Sequence, residues 1–433
     1  MKISIYGQDV NAVVAATCLA EAGHEVYLSR IGDASKQLSW DESYIEREPG
    51  LLTRYRRMLG RNLRVRAFKD ARSFGTVQWV FGRGQSDAAL QQVFTSLAKA
   101  WREGVLYLLT SHHSVGTYQR MGEVLKEGGV PMSDQHCPLV SMPTMIREGV
   151  ALADFESPAL LVVGTNDEFA IATVTQMLRP YINRADKTLF VDGLTAEITR
   201  NAISTMLATR LSFMNKLAQL CENLGVDVEV VREAMAGDPR VGSEYLNPGC
   251  GFGGDNLADE LANVQELLPK GSAARQLVDA VAQTNEEQKE ILFRKVWRYY
   301  QANIQGRTIA IWGAAFKPGT DSLVNSPILT LLEAFWAQGV ITRVYDPQAL
   351  DALRLRFQGQ ELLECVDSPY EAAENADALL IVTAWKEFYN PDFEQLKALL
   401  AVPAIFDGRN IYEPEVMQEL GFEYFGLGRG LRI

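Results

Sequence analysis

Short apolar runs alternate with helically spaced segments in the first part of the chain. The runs KISIYG, HEVYLS, VQWVFG, VLYLLTS and ALLVVGT are typical of buried strands, and the segments between them place apolar residues at helical intervals. Strands that alternate with helices form a parallel sheet with helices on both faces. We therefore predict a doubly wound, Rossmann-like domain over residues 1–194.

The middle of the chain has a helical pattern. At residues 195–224 and 273–301 the apolar positions recur at helical spacing, over lengths typical of a domain connector or a subunit interface. After residue 306 the strand–helix alternation resumes with RTIAIWG, ITRVYDP, ADALLIVTA and PAIFDG. The predicted fold class is therefore α/β, with two doubly wound Rossmann-like domains (1–194 and 305–433) joined by a central helical, dimerisation domain (195–304).

Composition narrows the range of partners. The chain has 433 residues, 47% apolar and 22% charged, which suits two or three globular domains. A net charge of −12 disfavours nucleic acid and anionic membranes, and no apolar run reaches the roughly 18 residues of a membrane span. Five cysteines without a CxxC pair indicate free thiols, and the start MKISIYGQDV is not typical of a signal peptide. We expect a cytoplasmic protein.

Local motifs are more specific than this architecture. In chain order they are EPGL (48–51), SVGT (114–117), REG (147–149), DFESP (154–158), AEITR (196–200), DPRVG (238–242), NPGCGFGG (247–254), AFKPGTD (315–321), YDP (345–347), DGRN (407–410) and GFEYFGLGRG (421–430). Together they resemble the UDP-glucose/GDP-mannose dehydrogenase family, and the tail is closer to its UDP-glucose members. The resemblance implies NAD-dependent oxidation of a sugar C6 alcohol to an acid. In that family the two hydride steps pass through a cysteine-bound intermediate, in a dimer or larger oligomer.

The dinucleotide-binding loop departs from that family. A pyrophosphate site needs glycines after the first strand for the tight turn, the approach of the phosphate and helix packing. Here Gly7 remains, Asp9 brings a side chain and a negative charge to the second position, and Ala12 occupies the third. The second strand ends in Arg30, which fits either the 2′-phosphate of NADP or an exposed arginine at a disused site. We expect no cofactor, with NAD or NADP as the alternative.

The catalytic positions implied by the resemblance have also changed. Asn256 stands in place of the nucleophilic cysteine, and an amide cannot form a thiohemiacetal. Arg200 replaces a lysine, and a guanidinium that stays charged does not transfer protons. Ser204 replaces an asparagine, Thr144 a carboxylate and Glu260 an aspartate. We therefore predict that no catalytic set is intact.

The second half of the chain retains residues that suit the binding of a sugar nucleotide. A phosphate is bound by backbone N–H groups that it can approach closely and by cationic side chains. By resemblance, Lys317 and Arg409 would hold the nucleotide, and Arg240 would reach a neighbouring subunit's site. We expect these three basic groups to converge on the glycine-rich loop 247–254. The predicted substrate-binding residues are Glu148, Arg200, Arg240, Asn247, Gly251, Phe252, Gly253, Lys317 and Arg409.

Two other features are interpreted as structural. His112 and His113 are adjacent without a third ligand at suitable spacing, so no metal site is predicted. Cys250, close to Asn256 in sequence, is interpreted as a small, semi-buried loop residue rather than a substitute nucleophile.

Three functions remain open at this point. The favoured hypothesis is a non-catalytic binder of a UDP-sugar or related nucleotide sugar, working as a homodimer or with an active relative in polysaccharide synthesis. The second is an NAD(P)-dependent dehydrogenase with altered chemistry. The third is a purely structural subunit that oligomerises through the central helices.

Overall fold

The computed structural model describes residues 1–31, 40, 42–110, 114–133 and 136–431, with Asp255 described by its backbone. These residues form two compact units, Met1–Ile203 and Ser204–Ile433. Each is an α/β unit built on its own sheet. No helix in the described ranges combines the length and the apolar character needed to cross a bilayer.

The first unit is built on an eight-stranded sheet with the strand order β3-β2-β1-β4-β5-β6-β7-β8. The order reverses beside β1, so the loops after β1 and β4 border the crevice where such sheets bind ligands. Its elements are β1 (Lys2–Tyr6), α1 (Val10–Glu21), β2 (Glu25–Ser29), α2 (Glu42–Glu46), α3 (Leu51–Met58), β3 (Leu63–Val65), α4 (Phe68–Phe74), β4 (Val77–Phe81), α5 (Asp87–Ala98), β5 (Leu106–Thr110), α6 (Thr117–Glu127), β6 (Leu139–Ser141), α7 (Ala151–Glu156), β7 (Leu160–Gly164), α8 (Glu168–Met177), α9 (Arg179–Ile182) and β8 (Lys187–Val191).

Buried side chains alternate between the two faces of this sheet. On β1, Ile3 and Ile5 pack in one core, whereas Tyr6 packs in a second core with Val80 of β4. Because successive strand residues point to opposite faces, strands buried on both sides carry continuous apolar runs. This explains why KISIY and the other strands could be predicted from the sequence.

One pairing differs from the predicted parallel sheet. β6 pairs with β7 in the antiparallel sense, at Ser141 opposite Gly164. A Cβ on Gly164 would lie 2.6 Å from Ala196 Cβ and 2.9 Å from Ser141 O, so only glycine permits this close crossing. β7 and β8 are parallel to each other, and the sheet is therefore mixed.

The second unit carries a fully parallel six-stranded sheet with the order β11-β10-β9-β12-β13-β14. It again has two cores, with Ile309 and Ile311 of β9 on one face and Ala310 and Trp312 on the other. Its elements are α10 (Gly193–Leu224, which begins in the first unit), α11 (Val228–Gly237), α12 (Asp255–Leu267), α13 (Ala273–Lys289), α14 (Ile291–Tyr299), β9 (Thr308–Trp312), α15 (Pro327–Trp336), β10 (Ile341–Tyr345), α16 (Leu350–Arg356), β11 (Leu363–Cys365), α17 (Pro369–Ala373), β12 (Ala378–Ile381), a 3₁₀ turn (Lys386–Phe388), α18 (Phe393–Leu399), β13 (Ala404–Asp407), α19 (Pro414–Glu419) and β14 (Glu423–Phe425).

The predicted helical middle of the chain is present. The pattern at 195–224 corresponds to the single 32-residue helix α10. The pattern at 273–301 corresponds to α13 and α14, which are separated at Glu290. The boundary between the two compact units falls inside α10, so the predicted limits of a separate central domain at 195 and 304 stay a prediction.

Candidate functional site

The loop after β1 keeps one feature of a dinucleotide site, the close approach of α1 to the sheet. A Cβ on Gly7 would lie 2.6 Å from Ala12 Cβ and 2.9 Å from Phe81 Cβ. Gly7 and Ala12 are therefore required as small residues by packing alone. They do not by themselves indicate that a pyrophosphate binds there.

The Asp9 side chain lies at the first turn of α1. Its Oδ1 accepts a hydrogen bond from Ala12 N at 3.0 Å, so Asp9 is the N-cap of the helix. Its Oδ2 is buried without a hydrogen-bond partner among the described residues, and Asp9 is only 8% exposed. Burial raises the pKa of this carboxyl to about 6, although the bond from Ala12 and the charge of Arg83 lower it. The helix N-terminus, where anions bind favourably, thus already holds a carboxylate of the chain itself.

An ion pair lies within electrostatic reach of Asp9. Arg83, in the loop after β4, donates from Nη2 to Oε1 of Glu148 at 2.9 Å, and both side chains are partly buried. The charge of Arg83 lowers the pKa of Asp9, and that of Glu148 raises it. Glu148 was predicted to bind the substrate, and within the first unit its carboxylate pairs with Arg83.

The Arg30 side chain is not exposed, although one of the two interpretations of the sequence expected it to be. It is partly buried, its guanidinium carbon lies 5.1 Å from the ring centroid of Trp40, and Trp40 is itself 4% exposed. The Arg30 Nε is buried and has no hydrogen-bond partner within the described part of the chain. Sequence reasoning missed this contact because neither residue belongs to a helix or a strand.

The segment after β6 holds Thr144 where the resemblance implies a carboxylate. Thr144 is partly buried, and its Oγ1 accepts a hydrogen bond from Ile146 N at 3.3 Å. An acid does reach this segment, but it comes from the distant EPGL motif. Glu48, 3% exposed, accepts hydrogen bonds from Gly149 N and Ala151 N at 2.7 Å each. These bonds anchor the start of α7, so the EPGL motif has a structural role.

The AEITR motif at the start of α10 likewise has a structural role. Glu197 is 9% exposed and accepts hydrogen bonds from Gly116 N and Tyr118 N at 2.7 Å each, at the N-terminus of α6. Burial raises the pKa of Glu197 despite these two bonds. On the same helix, Arg200 is 7% exposed and Ser204 is 9% exposed. A deeply buried arginine is not a freely accessible substrate contact, so the predicted role of Arg200 stays a prediction.

In the second unit, the glycine-rich loop 247–254 is held by amide side chains of the helical segment. Asn215 Oδ1 accepts from Gly249 N at 2.8 Å, and Gln288 Nε2 donates to Gly249 O at 2.8 Å. Asn285 binds Phe252 at both backbone groups, with distances of 2.8 Å and 3.1 Å. Each of these bonds joins groups far apart in sequence, so the loop conformation is fixed before any ligand arrives.

The glycines of this loop are needed for close packing. Gly251 has φ of 100°. A Cβ on Gly253 would lie 2.7 Å from Phe316 Cβ and 2.8 Å from Asn325 O. The predicted residues Gly251 and Gly253 therefore shape the loop, whereas Asn247 at its start is exposed.

Arg409 is the basic residue that the second unit places directly against this loop. A Cβ on Gly249 would lie 2.9 Å from Arg409 Nη1. The guanidinium is anchored by Nε, which donates to Val382 O at 2.6 Å, and Nη2 is buried without a hydrogen-bond partner in the described ranges. Lys317 follows Phe316, whose Cβ lies beside Gly253 and whose ring lies beside Gly254, and the Lys317 Nζ is 5.5 Å from the centroid of that ring. The predicted role of Arg409 and Lys317 in holding a nucleotide stays a prediction.

Arg240 does not join this group in the second unit. It is 87% exposed by its side chain, and its guanidinium pairs with Asp238 of its own turn at 2.5 Å. Within one chain its guanidinium therefore pairs with its own turn and not with the loop 247–254. Its predicted reach into a neighbouring subunit's site stays a prediction.

Asn256, which by resemblance stands in place of the family's nucleophile, lies at the start of α12. Asn256 is partly buried, and its Oδ1 is buried without a partner among the residues that the structure describes. Glu260, one turn later, is 1% exposed. Cys250 was expected to be semi-buried, but it is fully buried, with Sγ 3.5 Å from Val382 O. Burial raises the pKa of the Cys250 thiol, which disfavours the thiolate form that a nucleophile requires.

The acid at the end of β10 is bonded on both oxygens. Asp346 Oδ2 accepts from Ala314 N, Ala315 N and Trp385 Nε1 at 2.7, 3.0 and 3.0 Å. Its Oδ1 accepts from the backbone N–H groups of residues 348 and 349 at 2.9 and 2.8 Å. The YDP motif thus fixes the loop after β9, which leads to Lys317.

No group of three or more His, Cys, Asp or Glu residues that could hold a metal occurs in the described ranges. His112 and His113 lie outside the described residues.

Two Rossmann-like units, with long helices between their strands in the chain and a glycine-rich loop beside Arg409, define an α/β protein of the doubly wound type. The chain belongs to the UDP-glucose/GDP-mannose dehydrogenase family. Residues 194–287 match the central domain of that family, and residues 310–414 match its UDP binding domain. The family and the fold class predicted from the sequence are thereby confirmed.

Relatives match the chain from end to end. The UDP-glucose 6-dehydrogenase of Pseudomonas aeruginosa is 34% identical over 445 residues, covering 99% of this chain and 98% of that protein. The Rhizobium meliloti UDP-glucose 6-dehydrogenase is 32% identical over 443 residues, covering 99% of this chain and 100% of that protein. The UDP-glucose dehydrogenase structure from Pyrobaculum islandicum has a TM-score of 0.84 at 23% identity, covering 98% of this chain and 97% of that one. This structural similarity concerns the fold.

Proposed function

We propose that the chain binds a nucleotide sugar in its second unit and does not carry out the family's two-step oxidation. The observation that carries this proposal is Asn256 at the position where the family has its nucleophilic cysteine. An amide nitrogen is delocalised into its carbonyl, so it cannot form the covalent intermediate through which the sugar would pass. Cys250 cannot replace it because its thiol is fully buried and its pKa is raised.

Support for nucleotide-sugar binding comes from the loop 247–254 and its basic neighbours. The match to the UDP binding domain spans both Lys317 and Arg409. The partly buried Arg409 guanidinium lies against Gly249 through Nη1, so it brings a fixed positive charge to this loop. A guanidinium beside a glycine-rich loop suits a phosphate group, which needs a cation and closely approachable backbone.

The residues after β1 do not fit the dinucleotide that the family uses. A pyrophosphate would meet the buried Asp9 carboxylate at the N-terminus of α1, and like charges about 4 Å apart repel by about 4 kcal/mol at an effective dielectric of about 20. The Arg30 guanidinium lies over Trp40, so its availability to a 2′-phosphate is reduced. We therefore propose that neither NAD nor NADP serves as a resident cofactor.

A dehydrogenase with altered chemistry is the second candidate. It is favoured by the relatives at 34% and 32% identity, which are named UDP-glucose 6-dehydrogenases. In this case NAD(P) would bind despite Asp9, and catalysis would not use a cysteine nucleophile.

The central helices offer a surface for assembly. On α10, Met206, Phe213, Leu220 and Leu224 are 60, 57, 50 and 68% exposed. Their spacing of seven, seven and four residues places them along one helix face, as in helices that pair. We propose that this face joins two copies of the chain, or one copy and an active relative in polysaccharide synthesis. If the chain binds no nucleotide sugar, this face would support the third hypothesis, a purely structural subunit.

Two measurements on the purified chain test the proposal. UDP-glucose at a hundred times its Kd should stabilise the protein by about 2.7 kcal/mol in a thermal-shift assay. Arg409→Ala should weaken binding about tenfold or more, because a hydrogen bond to a charged group contributes about 1.5–3 kcal/mol. Arg356→Ala, at an exposed position of the same unit, is the matched control and should bind normally.

The second measurement is NADH formation with UDP-glucose and NAD, followed by absorbance, with the product analysed for the uronate. We expect none. Formation of the uronate would reject the non-catalytic proposal in favour of the second candidate. Failure to bind any of UDP-glucose, GDP-mannose and their N-acetylated relatives would leave the structural subunit.

A further inference from the structure

The turn after β13 (residues 407–411) carries Arg409 and lies directly against the glycine-rich loop. Gly408 O accepts a hydrogen bond from Cys250 N at 3.1 Å, and a Cβ on Gly408 would lie 3.2 Å from the Cys250 Cβ. Asp407 Oδ1 accepts a hydrogen bond from Arg409 N at 2.8 Å. The place of the Arg409 guanidinium beside the loop therefore depends on how this turn is held.

The turn contains a residue in a conformation that few side chains tolerate. Asn410 has φ of 52°, in the left-handed region, where asparagine is more frequent than most residues. Its Oδ1 accepts a hydrogen bond from Leu427 N at 2.8 Å, and its Nδ2 donates to Leu427 O at 2.9 Å. A residue keeps such a conformation where its surroundings fix it, so the paired bonds to Leu427 hold the turn.

The segment to which Asn410 is bonded, residues 426–430, is itself fixed to two helices. A Cβ on Gly428 would lie 2.7 Å from Ala218 O of α10, and Gly428 O accepts a hydrogen bond from Val228 N of α11 at 3.0 Å. Backbone contact this close requires glycine. The 426–430 segment thus connects the turn that carries Arg409 to α10 and α11, and the proposed function gives this segment no role.

The other residues of the 426–430 segment add to this connection. A Cβ on Gly426 would lie 2.8 Å from Asn410 Oδ1, so a side chain there would push the asparagine amide away. The Arg429 side chain is 6% exposed and forms ion pairs with Glu413 at 2.7 Å and with Asp227 at 3.2 Å. The segment cannot leave its place without separating these charges.

We propose that the 426–430 segment sets the position of Arg409 for the phosphate of a nucleotide sugar, and that Asn410 is the positioning residue through which it acts. The inference rests on the proposed function, because it requires Arg409 to bind the phosphate. Without the Asn410 amide the turn loses its connection to the helices, and the Arg409 guanidinium takes up more orientations. A smaller fraction of molecules then presents it to the ligand, so affinity falls although no ligand contact is removed.

The test is a double-mutant cycle on the full chain, with UDP-glucose as the probe in isothermal titration. Asn410→Gly removes both bonds to Leu427, and glycine tolerates the left-handed conformation, so strain does not add to the effect. We expect this variant to weaken binding about threefold to tenfold in the wild type. In the Arg409→Ala background it should weaken binding no further, because a residue that acts through Arg409 has no effect without it. The melting temperature should fall in both backgrounds.

A control separates positioning from a general loss of stability. Asp392→Ala removes the N-cap of α18 in the same unit, so it should lower the melting temperature and leave the Kd for UDP-glucose unchanged. Unchanged affinity in Asn410→Gly overturns the proposal. Losses that add up in the double variant also overturn it, since Asn410 would then act independently of Arg409.

Hydrogen exchange of the ligand-free chain distinguishes failure of this proposal from failure of the proposed function. In Asn410→Gly the amides of Cys250 and Ile411, which donate to Gly408 O and to Asp407, should exchange about fivefold faster or more. If the wild type binds no nucleotide sugar, the proposed function fails, and the exchange rates still decide whether the segment holds the turn. Unchanged exchange at both amides overturns the proposal.

Discussion

Asp9 should make the stability of the first unit depend on pH in the direction opposite to that of most carboxyl groups. Burial raises its pKa from 3.8 to about 6. The folded chain therefore binds this proton more tightly than the unfolded chain does. The stabilisation is fully present below about pH 4 and is lost as the pH rises through about 6. A pKa raised from 3.8 to about 6 corresponds to about 3 kcal/mol of stability lost by pH 8.

The perturbation is Asp9→Asn, which keeps the N-cap acceptor and the side-chain shape but carries no charge. We expect the variant and the wild type to have similar stability at pH 4. At pH 8 the variant should be more stable by up to about 3 kcal/mol, because the wild type then holds a buried charge, one oxygen of which has no hydrogen-bond partner among the described residues.

The assay is native-state hydrogen exchange of the amides of residues 10–21 in urea, between pH 4 and pH 8. Reading α1 alone keeps the second unit out of the measurement. Asp70→Asn, at an exposed position in α4, is the control and should show no such trend. A difference between Asp9→Asn and wild type that is constant with pH, or that grows toward acid, would refute the reasoning.

Three other outcomes are expected. Glu48→Ala should lower the free energy of unfolding by about 3 kcal/mol in urea titrations, because the backbone N–H groups of Gly149 and Ala151 lose their acceptor. A loss below about 1 kcal/mol would contradict the structural role of Glu48. Gly253→Ala should lower the free energy of unfolding by about 1–3 kcal/mol and weaken UDP-glucose binding, because the added Cβ would lie 2.7 Å from the Phe316 Cβ. Gly237→Ala is the control and should do neither, since no described atom lies within 4 Å of its added Cβ. Equal effects of the two variants would contradict the packing argument. Cys250 should react with thiol reagents far more slowly than the partly exposed Cys365 in peptide mass spectrometry, and fast labelling of Cys250 would show that the loop opens.

The elements of the fold could be predicted because their signals are local. Strands such as β7 and β12 are continuous apolar runs, and α10 repeats its apolar positions over 32 residues. The antiparallel pairing of β6 with β7 could not be predicted, since it depends on Gly164 passing close to Ala196. The spacing of residues along the sequence does not show which distant segments come into close contact.

The candidate site was predicted only in part, for a similar reason. The loop 247–254 and Arg409 were predicted because their sequence motifs match those of the family, and the structure places the two side by side. The roles of Glu48 and Glu197 were missed, because their backbone partners lie far away in sequence. By resemblance, Arg240 was expected to reach a neighbouring subunit's site, and its exposed pair with Asp238 within one chain does not test that prediction.

The bonding of Asp346 limits what the second Rossmann-like unit can recognise. An ionised carboxylate offers about four lone-pair positions, and five internal donors already share those of Asp346. At the equivalent strand end, dinucleotide-binding folds use a free acid to hold a ribose hydroxyl. A ribose here would have to displace the chain's own amides, and the loop after β9 would lose its support. A nucleotide bound in this unit, as we propose, would therefore have its ribose hydroxyls held by groups other than the Asp346 carboxylate.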